Sequence, residues 1–131
     1  MAQVPGGDGF TGGDRYEIDK AIRHAETVSR YEFSVYVGHA DGEAGPFARR
    51  LHSALTAPER SVLVMVDPSA RILEIITGSE VRRDLDDGEV NLAALTMQSA
   101  FAAGDLVGGL RRGLQMLAEH ARKPRMLHAE P

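Results

Sequence analysis

Cysteine and tryptophan are both missing from this 131-residue chain. Without cysteine there is no disulfide, no thiolate metal site and no cysteine nucleophile. The lack also fits a reducing compartment, and the cytoplasm is the expected location. Aromatic residues are only 5% of the chain, too few for a platform that stacks nucleobases. Basic residues are short as well: 15 Lys and Arg stand against 19 Asp and Glu, for a formal charge of −4. That balance argues against a nucleic-acid partner, which calls for a basic face. No apolar run approaches the roughly 18 residues of a membrane span, so no integral membrane segment is expected. The opening stretch MAQVPGGDGFTGGD has neither a basic n-region nor an apolar h-region, and it is not read as a secretory signal.

What is present is a single-domain length with clear periodicity. Residues 1–13 carry Gly6, Gly7, Gly9, Gly12 and Gly13 and read as a flexible arm. Gly7 to Gly12 matches GxGxxG by letter, but a dinucleotide fingerprint must follow a buried strand and none precedes it. Residues 14–122 read as one α/β domain and 123–131 as a flexible tail. Asp14 and Glu17 have capping-box spacing, and Ile18, Ala21, Ile22, Ala25 and Val28 recur at helical intervals, giving a helix over 15–30. Phe33, Val35 and Val37 alternate with polar residues in a strand over 32–37. Pro46 suits the first turn of a helix that Pro58 ends. Val62 to Val66 is a continuous apolar run, as in a strand covered on both faces. Asp67-Pro68-Ser69-Ala70 has turn chemistry, and Ile72 to Thr77 returns antiparallel.

Asp86 or Asp87 is expected to cap a helix bearing Val90, Ala94, Met97 and Phe101. Gly104 is expected to end it, and Asp105 to cap the last helix, with a buried stripe of Leu106, Leu110, Leu114, Leu117 and Ala121. Gly109 and Gly113 suggest close helix-to-sheet packing, since Arg111 and Arg112 between them exclude a membrane dimer motif. Asp84, Asp86, Asp87 and Glu89 fail EF-hand spacing and read as a capped, solvated loop. His24, His52 and His120 lie on helices and read as surface residues.

This order resembles the TPM domain family. The carrying residues are VLVMVD (62–67), RILEIITG (71–78), the acidic break ending LDD, FAAGD (101–105) and GGLRRGLQML (108–117). The likeness covers about 16–121 and is nearest to a small actinobacterial branch with no assigned function. It implies a three-layer α-β-α sandwich with a small mixed sheet of three or four strands and helices on both faces. It differs in three respects: the Gly-rich arm replaces an initial D-x-A-x-x-L segment, the family's long Trp- and Gly-bearing loop before the second strand is only Thr56 to Arg60, and neither a signal peptide nor a trailing membrane helix is expected.

Topology points to a site. Strands 32–37 and 62–66 are joined through a helix and should run parallel, so their carboxyl ends share one edge. Ligands in open α/β sheets favour that edge. It would carry His39, Asp41 and Asp67, and the helix ending at Gly104 would bring Asp105 alongside. Such oxygen donors with one imidazole suit a hard cation, Ca²⁺ or Mg²⁺. The resemblance adds that some relatives bind calcium. No trio of nucleophile, base and orienting group assembles from the pattern. The expected function is therefore a non-enzymatic interaction or assembly module with a protein partner. The alternative is a weak divalent-metal-assisted phosphatase working at the His39/Asp67 edge.

Overall fold

The computed structural model describes residues 2–3 and 11–122. Its elements are β1 (Ala2–Gln3), α1 (Gly12–Ser29), β2 (Glu32–Val37), α2 (Ala44–Ser53), β3 (Ser61–Asp67), β4 (Ile72–Thr77), α3 (Asp87–Ala102) and α4 (Leu106–Ala121). Single 3-10 turns at Pro58–Arg60 and Val81–Arg83 lead into β3 and out of β4. The four strands lie in the order β1-β2-β3-β4. The first three run parallel and β4 returns antiparallel on β3. The expected α/β sandwich with a small mixed sheet is therefore the observed fold.

Burial explains the layers. All seven residues of β3 are buried, as a strand covered on both faces requires. Phe33, Val35 and Val37 of β2 are level with Val62, Val64 and Val66 of β3, so all six share one face. Against that face pack Ile18, Ile22 and Ala25 of α1, Met97 of α3, and Leu110, Leu114 and Leu117 of α4. Over the opposite face lies α2, whose Ala48, Phe47 and Leu51 pack on Leu63, Met65 and Ile76. There Tyr36 and Phe47 meet edge to face at 5.3 Å, an arrangement that suits the aromatic quadrupole.

Several boundaries differ from expectation, each for a local reason. Thr11, not Asp14, caps α1: Asp14 N–H donates to Thr11 Oγ1 and Thr11 N–H to Asp14 Oδ2, both at 3.0 Å. The capping box is real but starts three residues earlier, so Gly12 and Gly13 open the helix. Ala2 and Gln3 pair with Val35 and Tyr36. The arm read over 1–13 thus contributes a strand and a helix start. Its remainder, 4–10, and the tail read over 123–131 lie outside the described residues.

On α3 the fully buried positions are Ala93, Met97 and Ala100, a stripe shifted toward α4, while Val90, Ala94 and Phe101 are half-buried. Gly109 and Gly113 approach α3 rather than the sheet: a β-carbon at Gly113 would meet Met97, and one at Gly109 would meet Phe101. His52 is not a surface residue. It is buried beneath α2, where its Nε2 lies 3.0 Å from the Ser61 carbonyl and hydrogen-bonds to it.

Candidate functional site

The site is built at the carboxyl ends of β2 and β3. The parallel ladder continues one step past the strands, where Gly38 N–H donates to Val66 O at 2.9 Å. That bond delivers His39 beside Asp67. Tyr36 hydroxyl donates back to His39 O at 2.9 Å and steadies the loop. On the β3 side Pro68 opens a four-residue loop, 68–71, closed by Arg71 in the left-handed region at φ 57°.

Asp67 organises that loop. Its side chain is only 7% exposed. Oδ1 accepts from the Ser69 hydroxyl at 2.9 Å and from Ala70 N–H at 3.2 Å. His39 Nδ1 lies 3.5 Å from the same oxygen and 3.2 Å from Ser69 Oγ. Burial pushes the Asp67 pKa up. The Ala70 N–H, the Ser69 hydroxyl, the Ala40 N–H and the nearby His39 outweigh it and hold the carboxyl below its ordinary value. Burial and then the Asp67 charge push the Tyr36 phenol up.

The other two residues expected at this edge have contacts of their own. Asp41 offers its backbone carbonyl to Arg50 Nη2 at 3.0 Å. Asp105 caps α4, accepting from Gly108 N–H at 2.9 Å, with Arg112 Nη2 3.6 Å from its second oxygen. Gly104, left-handed at φ 84°, turns the chain into that cap. Among the described residues no three His, Asp or Glu side chains group as metal ligands would. Asp84, Asp86 and Glu89 also have structural partners: Tyr31 hydroxyl donates to Asp84 from across the fold, Asp86 with Glu89 forms the capping box of α3, and His120 Nδ1 lies 3.2 Å from Glu89.

Between the β3–β4 loop and the α3–α4 turn lies a cleft of about 440 Å³. Asp67, Arg71 and Leu73 form one wall; Gln98, Phe101 and Leu106 form the other, with Gly104 at the turn. The carboxyl edge thus does gather His39 and Asp67 and brings the α3–α4 turn to the same opening. Ser69, Arg71 and Gln98 were missed in the sequence. Ser69 had a readable signal, the Asp-Pro-Ser turn; Arg71 and Gln98 had none, because only tertiary packing places them at a cleft.

A family described as "Domain of unknown function (DUF5130)" matches residues 2–118. The chain belongs to that family. Proteins similar to this chain include the uncharacterized proteins Rv2468c and MT2543 of two Mycobacterium tuberculosis strains, each 27% identical over 105 residues. That alignment covers 80% of this chain and 63% of theirs, so the chain spans less than two thirds of the curated relatives it matches. The fold recurs in solved structures. The BA42 protein of Bizionia argentinensis superposes with a TM-score of 0.79 at 18% identity, covering 88% of this chain and 83% of that one. The N-terminal domain of cg2496 from Corynebacterium glutamicum gives 0.73 at 18% identity, covering 92% and 76%. At such identity the DUF5130 chain shares their fold, and no helix among its described residues is long and apolar enough to cross a membrane.

Proposed function

We propose that this domain is a non-enzymatic interaction module of TPM type that engages a protein partner. The observation that carries the reading is the wiring of Ser69, His39 and Asp67. By letter they are the three members of a hydrolase triad. In a working triad the base takes the serine proton on one ring nitrogen while the acid holds the other. Here Ser69 and Asp67 crowd the same His39 nitrogen, and Ser69 donates its proton directly to Asp67. A hydroxyl bonded to a buried carboxylate in its own turn is a structural donor. The three residues lock a loop.

The same reading covers the phosphatase alternative. A phosphatase at this edge would need Asp67 free to bind metal or water, and its Oδ1 already accepts two hydrogen bonds. The test is turnover of p-nitrophenyl phosphate, bis-p-nitrophenyl phosphate and p-nitrophenyl acetate with millimolar Mg²⁺, Mn²⁺ or Ca²⁺. The expected rate equals background for the wild type and for Asp67→Asn. Metal-dependent turnover that Asp67→Asn abolishes would replace this reading with a hydrolase.

A further inference from the structure

Among the described residues the strand order gives β4 a neighbour on one side only. The phase of its ladder follows from one bond. Gly78 N–H donates to Ser61 O at 3.0 Å, and Thr77 is level with Val62. Bonded pairs alternate in an antiparallel ladder, so Ile76, Glu74 and Ile72 bond to β3. Leu73, Ile75 and Thr77 therefore turn their N–H and C=O groups away from the sheet. The Arg82 guanidinium donates to the Thr77 carbonyl. Among the described residues no hydrogen bond occupies the N–H and C=O of Leu73 and Ile75. Natural edges are usually blunted by proline, lysine or a bulge. β4 reads ILEIIT, with no proline, lysine or bulge, and is half-buried throughout; its one charge, Glu74, is level with Met65 on the α2 face.

The side chains of Leu73 and Ile75 join the face that carries α1, α3 and α4. In an antiparallel ladder, residues directly opposite point to the same face. A strand added to β4 would thus set alternate side chains beside the flank of α3. That flank presents Gln98 and Ala102, which line the cleft with Leu73. Leu95 lies on the same helical stripe, at i, i+3 and i+7 with them, and is 62% exposed. The flank beside the open edge is thus partly apolar.

Charge selects the occupant. Arg71 and Arg82 stand exposed near the two ends of β4, and neither has an ion pair among the described residues. A second copy paired antiparallel about Ile75 would bring Arg71 opposite residue 79 of its mate, at the turn bearing Arg82. Like charges would then meet at both ends. An acidic segment would meet complementary charge there.

We propose that β4 takes an extended segment of another protein as an added antiparallel strand, with alternate apolar side chains toward α3 and carboxylates at its ends. Backbone bonds along the edge supply affinity, and the α3 flank selects side chains. The proposal rests on the interaction reading above and names its surface.

The probe is an acetylated, amidated peptide Glu-Val-Thr-Val-Thr-Val-Glu, titrated into ¹⁵N-labelled full-length protein. The expected result is shift and exchange protection at the amides of Leu73 and Ile75. The amides of Ile72, Glu74 and Ile76, already bonded, should move little. Arg71→Glu should weaken binding at least tenfold. So should Ile75→Pro, whose missing N–H points away from β3 and so removes no ladder bond. Should the proline variant fail to fold, the peptide carries the test: methylating the valine nitrogens, which face β4, abolishes binding, and methylating the threonine nitrogens does not. Perturbation confined to α2 would overturn the edge proposal and leave an interaction module standing. Absence of binding at millimolar peptide would overturn it too, with the interaction reading judged separately by the turnover assay. A dimer in sedimentation, with the Ile75 amide protected and no peptide present, would assign the edge to a second copy and overturn the proposal.

Discussion

Gly113 of α4 and Met97 of α3 are in contact with no room for a β-carbon between them. One built at Gly113 would stand 2.4 Å from both Met97 Cγ and Sδ. The close approach explains how α3, which meets the sheet chiefly at β4, is held by α4.

Gly113→Leu should therefore overpack the α3–α4 contact and cost about 1–3 kcal/mol. Thermal unfolding should show a melting temperature lower by several degrees. Met97→Ala in the same chain should return part of the loss, because it empties the space the leucine needs. Independent, additive effects of the two substitutions would mean the residues do not share that space.

The buried Asp67 makes stability depend on acid. Its folded pKa lies below the ordinary carboxyl value because donated hydrogen bonds outweigh burial. The contribution is then present above the unfolded pKa and is lost as pH falls through the folded one. Asp67→Ala leaves the Ser69 hydroxyl and Ala70 N–H without their acceptor and should cost about 1–3 kcal/mol near neutrality. In urea titrations the gap between the two proteins should narrow below about pH 4. A gap independent of pH would show that the charge contributes nothing.

Tyr31 should set the alkaline limit. Its phenol, 3% exposed, is pushed up to about 12 by burial first, then by the hydrogen bond to Asp84 and that carboxylate's charge, with Arg60 opposing. A folded pKa raised above the unfolded value gives stability that is whole below about pH 10 and lost as pH rises through the folded value. Tyr31→Phe should be less stable than the wild type at neutral pH, and the two should converge under strong alkali. The ultraviolet titration of phenolate should lose its last step in the variant.

Cations should not stabilise the carboxyl edge. Asp67 and Asp105 already accept hydrogen bonds, from their own turn and from α4. Millimolar Ca²⁺ or Mg²⁺ should leave the melting temperatures of wild type and Asp67→Asn unchanged. A rise in the wild type alone would establish His39 and Asp67 as part of a metal site.

The strands were legible because each has a short-range cause. Alternation at Phe33, Val35 and Val37 and the apolar run from Val62 placed β2 and β3, and the Asp-Pro turn placed β4. The parallel crossover they imply is what sets His39 beside Asp67. What could not be read depends on partners distant in sequence. Nothing around His52 announces that Ser61 will offer its carbonyl, so a helical histidine looked like surface. The α3 stripe was misplaced because Gly109 and Gly113 draw that helix toward α4, and the apolar period of α3 alone does not reveal it. The cluster of Asp67, Ser69 and His39 shows the limit most clearly: Ser69 is legible in the sequence only as a turn residue, and which ring nitrogen faces which oxygen is tertiary geometry.

The two kinds of strand connection also divide the domain in time. β3 and β4 close through a four-residue loop, and hairpins of that sort form in about 1–10 μs. β2 pairs with β3 across the intervening residues 38–60, and β1 pairs with β2 across the whole of α1. Loop-closure entropy makes those pairings late. The Asp67 turn is then a starting point for folding as well as a lock. Removing it should slow the refolding arm of a chevron plot, whereas Gly113→Leu, acting on late helix packing, should chiefly quicken unfolding.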